Sequence, residues 1–192
     1  FYTYVLGDMK LMSGVSVIGL IASLVGIVMG PYLANRFGKK KVYLTAVIIS
    51  TALNLLRLLD VTSMILIYIS ALIGGVAGGW MVPVNTSIQA DNTTYVQYKT
   101  GKRAEAAIAS LTSFVSKVAQ GLGGAIPGYV IAAYGFVTGA SVQPESINTG
   151  IILCALILPL IFGILGLLIF GTQYTLDQKA VIEMDAKINR NN

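Results

Sequence analysis

Five long apolar runs, separated by short polar connections, decide what this chain can fold into. They cover roughly residues 11–35, 42–59, 63–90, 104–135 and 148–172. A helix needs about 20 mostly apolar residues to cross the hydrocarbon core of a bilayer. Inside that core every backbone N–H and C=O must be satisfied within the protein, so runs of this length read as spanning helices. Composition agrees. Hydrophobic residues make up 55% of the 192 and charged residues only 11%, against about 25% charged in soluble domains. The opening "FYTYVLGD" (residues 1–7 and Asp8) has neither Met nor a basic leader and reads as the end of a further helix. The remainder, 173–192, reads as a tail.

The charges order the runs. Arg36, Lys39, Lys40 and Lys41 lie in one connection, Lys99, Lys102 and Arg103 two connections later, and Lys179, Lys187 and Arg190 in the tail. The connections between them, "DVT" and "FVTGASVQPESIN", contain no Lys or Arg. Basic loops stay in the cytoplasm. The alternation therefore places the basic connections and the C-terminus inside, with the intervening loops outside. The net charge of +5 is a topology signal and gives no reason to expect nucleic acid as a partner.

The chain contains no histidine and a single cysteine, Cys154, within an apolar run. Histidine chemistry and an intrachain disulfide are excluded. No nucleophile or carboxylate pair stands at catalytic spacing, so an enzyme is not expected, and neither is a resident metal or cofactor. Ser13, Ser16, Gly19, Ser23, Gly26 and Gly30 recur every three or four residues, and "GGVAGG" (74–79) sits in the third run. Such stripes let helices approach closely in lipid. Pro31, Pro83, Pro127 and Pro159 each lie inside a run, where a bend is tolerated.

Lys117 is the residue that packing does not explain. It stands 14 residues after Arg103, about 21 Å along a helix, close to the bilayer centre. An uncompensated lysine there costs at least about 2.5–3.5 kcal/mol. Ser110, Ser113, Gln120, Gly121 and Gly124 share its helical face, with Thr112 and Ser116 nearby. All eight acids lie at run ends or in the tail. The counter-charge of Lys117 is therefore water and hydroxyls, or a group outside this sequence, unless burial deprotonates the amine. Trp80, the sole tryptophan, lies inside its run rather than in an interfacial belt. A ring wall for a ligand and plain packing both fit it. Arg57 lies one turn from a run end, where it can snorkel.

Three stretches carry a resemblance. "FYTYVLGD", "GPYLANRFGKKK" and "QADNTTYVQYKTGKRAEAAIASLTSFVSKVAQGLGGAIPGY" resemble the seventh helix, the loop between helices eight and nine, and the loop plus eleventh helix of the glycoside–pentoside–hexuronide:cation symporters, within the major facilitator superfamily. The sequence departs from the family pattern at Asn35, Thr94 and Gln97, where Asp, Asp and Glu are expected, while Asp91 is retained.

The resemblance implies an all-α integral membrane fold: the end of helix 7 plus helices 8–12, the C-terminal six-helix bundle of a twelve-helix transporter of the inner membrane. It implies alternating-access symport of a sugar with Na⁺, Li⁺ or H⁺. The cation site and the partners of Lys117 would come mainly from an N-terminal half, without which the chain is expected to be inactive. By resemblance Trp80, Thr112, Ser113 and Ser116 are sugar-site candidates and Lys117 the coupling residue. Asp91, Arg36, Lys39 and Lys40 form the cytoplasmic loop motif. A carrier of lipids or drugs and a structural membrane subunit are the competing readings.

Overall fold

The computed structural model describes residues 1–140 and 142–191. Ser141, in the loop "FVTGASVQPESIN", and Asn192, in the tail, lie outside the described residues. The described residues form helices and no strands. The helices are α1 Lys10–Phe37, α2 Lys39–Leu59, α3 Met64–Thr100, α4 Glu105–Ala133, α5 Ser146–Ile152, α6 Leu158–Gln173 and α7 Gln178–Asn191. A π turn, Leu153–Ile157, joins α5 to α6, so Ser146–Gln173 runs as one span.

Among the described residues four helices are long and apolar enough to cross a membrane: α1, α2, α3 and Ser146–Gln173. The fifth expected span, α4, has the length at 29 residues. Lys117, Gln120 and its serines dilute its apolar character, and it is not among the four. Residues 1–7, expected as a helix end, form turns, with one α-type bond from Val5 N–H to Phe1 O at 2.8 Å.

Two connections are shorter than the apolar runs suggested. The basic loop at 37–41 shrinks to Gly38 alone, whose φ of 88° lets α1 end and α2 begin one residue later. Arg36 and Lys39–Lys41 are therefore helix-end residues. The third helix does not stop near residue 90. It continues through "DNTTYVQYKT" to Thr100, ending at Gly101 in the left-handed region (φ 69°), whose N–H bonds to Gln97 O at 2.9 Å. Polar residues end an apolar run without ending a helix.

Small residues bring α1 against α3. A methyl group at Gly75 would lie 2.8 Å from Ala22 Cβ, and one at Gly30 2.6 Å from Pro83 Cγ. A methyl at Gly26 would strike the Val76 carbonyl, and one at Gly79 the Ser23 carbonyl. The small-residue stripe of α1 thus meets "GGVAGG" of α3 directly, which in lipid is the main source of helix–helix attraction. Ala34, Val42, Val84 and Ile88 form a buried cluster at one end of this pair, backed by Leu33, Tyr43, Trp80, Phe170 and Tyr174. The Phe170 ring lies between Tyr43 (centroids 4.2 Å apart) and Tyr174 (4.7 Å, nearly parallel), which ties α2 to α6. Many large apolar side chains point outward, among them Val28 (79% exposed) and Leu59 (80%). Lipid tails cover such surface without cost.

The π turn has a local cause. Pro159 donates no hydrogen bond and its ring crowds the preceding turn. Leu158 N–H reaches back five residues to Leu153 O, and the extra residue absorbs the mismatch. In the tail, α7 packs against the extended end of α3, with Lys187 Nζ 5.8 Å from the Tyr98 ring centre.

Candidate functional site

The expected site residues divide into two groups, with Trp80 apart from both. The first is brought together tightly. Asp91, on the polar extension of α3, is the one buried charged residue among the described residues. Lys39, at the start of α2, donates to both its oxygens, at 2.6 and 2.7 Å. The side chains are 19% and 8% exposed, so this is a desolvated, two-pronged ion pair between helices 52 residues apart in sequence.

Next to it, a cavity of about 210 Å³ is lined by Lys39, Lys40, Asp91, Tyr174, Asp177 and Gln178 among others. The Tyr174 hydroxyl is buried and forms no hydrogen bond of good geometry among the described residues, though it lies in the field of Asp91. Burial, then the Asp91 carboxylate, pushes the phenol up to about 12. Sequence reasoning missed Tyr174. It lies just past α6, in a stretch with no motif, and only the fold carries it to Asp91.

Arg36 and Lys40 lie beside this pair without entering it. Arg36 donates to Tyr32 Oη at 3.3 Å and rests over the Phe37 ring at 5.4 Å. Neither Arg36 nor Lys40 pairs with an acid among the described residues.

The second group lies along α4. This helix buries none of its residues and touches mainly α3, α5 and the π turn. Lys117, Ser113 and Ser116 are exposed. Thr112 Oγ1 donates to Ile108 O at 2.9 Å and is half-buried. Among the described residues Lys117 makes no ion pair and no hydrogen bond. Glu105, the acid on its own helix, pairs with Arg103 at 3.1 Å. The apolar neighbours Leu111 (65%), Phe114 (66%) and Val118 (44%) are exposed as well, so α4 leaves most of its surface, the Ser113–Ser116–Lys117 stretch included, uncovered by this chain.

Trp80 belongs to neither group. The ring packs on the Ala34–Val42–Val84–Ile88 cluster and lines an apolar cavity of about 380 Å³ between α1 and α2, to which no α4 residue contributes. Close contact of Gly26 and Gly30 with the backbone at Trp80 fixes that side of α3 against α1. The indole N–H is buried without a partner among the described residues. Arg57, expected to snorkel, rests its guanidinium 5.2 Å from the Phe1 ring centre. No group of three or more metal-ligating side chains occurs among the described residues.

A family model described as MFS/sugar transport protein matches residues 1–178. The chain belongs to the MFS/sugar transport protein family. It is therefore a multi-pass membrane protein of the major facilitator type, as the three motif stretches implied. The chain is 31% identical over 194 residues to a glucuronide carrier protein homolog of Escherichia coli, covering 96% of this chain and 42% of that protein. It is 26% identical over 191 residues to a putative sulfoquinovose importer of the same species (99% and 41%). It is 25% identical over 189 residues to a putative 2,3-dihydroxypropane-1-sulfonate exporter of Salmonella typhimurium (98% and 41%). The chain thus spans about two-fifths of the length of these relatives. All three are carriers rather than enzymes, and their names include both an importer and an exporter.

Proposed function

We propose that the full-length protein carries a sugar-class solute across the inner membrane by alternating access, coupled to Na⁺, Li⁺ or H⁺. In this reading the present chain supplies the C-terminal bundle, with its C-terminus in the cytoplasm, and an N-terminal half supplies the other wall. The observation that carries the reading is α4, a membrane-length helix with no buried residue, a hydroxyl-lined face and an unpaired lysine midway. A helix of that kind is stable in a membrane only against water, a polar ligand or another protein surface. In major facilitator carriers the site lies near the midplane, between two halves that rock against each other.

In this assignment Thr112, Ser113 and Ser116 hydrogen-bond the solute. Lys117 meets carboxylates of the N-terminal half. A cation bound at those carboxylates lessens their hold on Lys117, which links ion binding to closure. Lys39 and Asp91 clamp α2 to α3 at the cytoplasmic end. Trp80 acts by holding α1 against α3 rather than by stacking on the solute. This chain alone transports nothing in this account, because one wall of the site is missing.

The test is uptake into proteoliposomes by the full-length protein, offered neutral sugars, hexuronides and sulfonated sugars under separate Na⁺, Li⁺ and H⁺ gradients. Saturable uptake raised by one cation gradient is expected. Uptake of lipids or cationic drugs, with none of any sugar, would overturn the assignment.

A further inference from the structure

The apolar cavity beside Trp80 has the shape and charge of a binding place for a lipid. Met29, Leu33 and Phe37, four residues apart, form one wall on α1; Lys41 and Thr45 form the other on α2; Trp80 closes the floor. Met29 to Phe37 covers eight residues, about 12 Å of helix. Met29 is 40% and Phe37 52% exposed, so the groove opens to the outside of the chain along its length. Apart from Thr45, whose hydroxyl donates to Lys41 O, its lining is apolar except at one end. There Lys41 lines the groove and Arg36 rests on the Phe37 ring. Lys39, the neighbouring cation, is neutralised by Asp91. Arg36 and Lys41 have no acidic partner among the described residues.

We propose that this groove binds one acyl chain of an anionic phospholipid, with the phosphate held by Arg36 and Lys41. The complementarity is twofold. An apolar trough about 12 Å long suits a lipid tail. Two unneutralised cations at its membrane-face end suit a phosphodiester, and an arginine and a lysine together supply both a planar fork and a point charge for it. Basic clefts between spanning helices are a physical basis for headgroup selection. The occupant follows from the groove's own charge and does not depend on which solute the carrier moves.

Trp80 lines the groove and is the sole tryptophan of this chain, so it reports occupancy. The full-length carrier is placed in nanodiscs of phosphatidylcholine. Phosphatidylglycerol or phosphatidylcholine with brominated tails is then titrated in. The signal of Trp80 is the difference between wild type and Trp80→Phe. We expect brominated phosphatidylglycerol to quench it at a lower mole fraction than brominated phosphatidylcholine. Arg36→Gln/Lys41→Gln should raise the half-quenching fraction of the glycerol lipid by roughly fivefold per charge removed. Thr45→Phe, which fills the groove and keeps both cations, should reduce quenching by both lipids. Lys99→Gln/Lys102→Gln, which removes equal charge elsewhere, should leave the preference intact. Equal quenching by the two lipids in wild type means ordinary lipid contact, and no quenching by either means that protein covers the groove. Either result, or a preference that survives Arg36→Gln/Lys41→Gln, overturns the proposal.

Discussion

Replacing Asp91 by Asn removes one charge from the Lys39–Asp91 pair and leaves its shape. Asn keeps one carbonyl acceptor for an ammonium that now makes two short bonds, at 2.6 and 2.7 Å. The Lys39 charge is then uncompensated in a place where its side chain is only 19% exposed. Breaking a fully buried pair costs about 3–5 kcal/mol, and an exposed pair is worth less than about 1. The geometry lies near the buried end of that range. The adjoining cavity of about 210 Å³ gives the lysine head some route to water, so the expected cost is about 2–4 kcal/mol. In a domain of this size that corresponds to a fall of about 5–15 °C in melting temperature.

Lys39→Met/Asp91→Leu removes both charges and replaces them with apolar groups. It should recover most of the loss, because desolvating the ions offsets much of their attraction. The assay is thermal unfolding of the detergent-solubilised full-length protein for wild type, Asp91→Asn, and the cycle of Lys39→Met, Asp91→Leu and their double. Asp91→Asn melting within about 1 °C of wild type would refute the burial argument. So would a double variant no more stable than the worse single.

Other consequences are as direct. Gly79→Ala should destabilise by about 1–3 kcal/mol, because its methyl would strike the Ser23 carbonyl, whereas Gly78→Ala, with nothing within 4 Å, should be neutral or slightly stabilising; equal melting temperatures would contradict the α1–α3 packing. Tyr174 ionises near its ordinary value of 10 when unfolded but near 12 when folded. Stability should therefore fall as pH rises through that window, since only the unfolded chain loses the proton there, and Tyr174→Phe should flatten the fall. Trp80→Ala should lower the melting temperature while leaving solute affinity within about threefold among molecules that remain folded, since the ring packs in the α1–α2–α3 core; selective loss of affinity at unchanged stability would return the ring to the solute site.

Much of this architecture is legible in residue patterns, and what is not has physical reasons. The α1–α3 contact follows from the stripe at Ser23, Gly26 and Gly30 meeting Gly75 and Gly79, because a small-residue periodicity specifies a face. The loop motif pointed to Lys39 and Asp91 as individuals. Their pairing needed the fold, since Gly38 turns α2 back along α1 and carries α3's end to it. Helix ends depart from the ends of the apolar runs wherever hydropathy and helicity part company. Residues 91–100 are too polar for lipid yet remain helical beyond it. Trp80 illustrates a different limit. A lone mid-span tryptophan says that the ring is valuable there, but which neighbour it faces depends on helix rotation, and that rotation was set by Gly26 and Gly30 of another helix. The π turn before Pro159 leaves no signature beyond the proline itself.

Lys117 bears most directly on the central claim, because the proposed function takes α4 as one wall of a two-sided polar site. The measurement is cation-driven accumulation of the transported solute by the full-length carrier with Lys117→Val, at wild-type abundance in the membrane, set beside equilibrium exchange of the same solute. The account predicts that accumulation against a gradient is lost and that its cation dependence disappears, while exchange retains part of its rate. Unchanged accumulation with unchanged cation dependence would contradict it and leave Lys117 as a charge tolerated in a wet cavity.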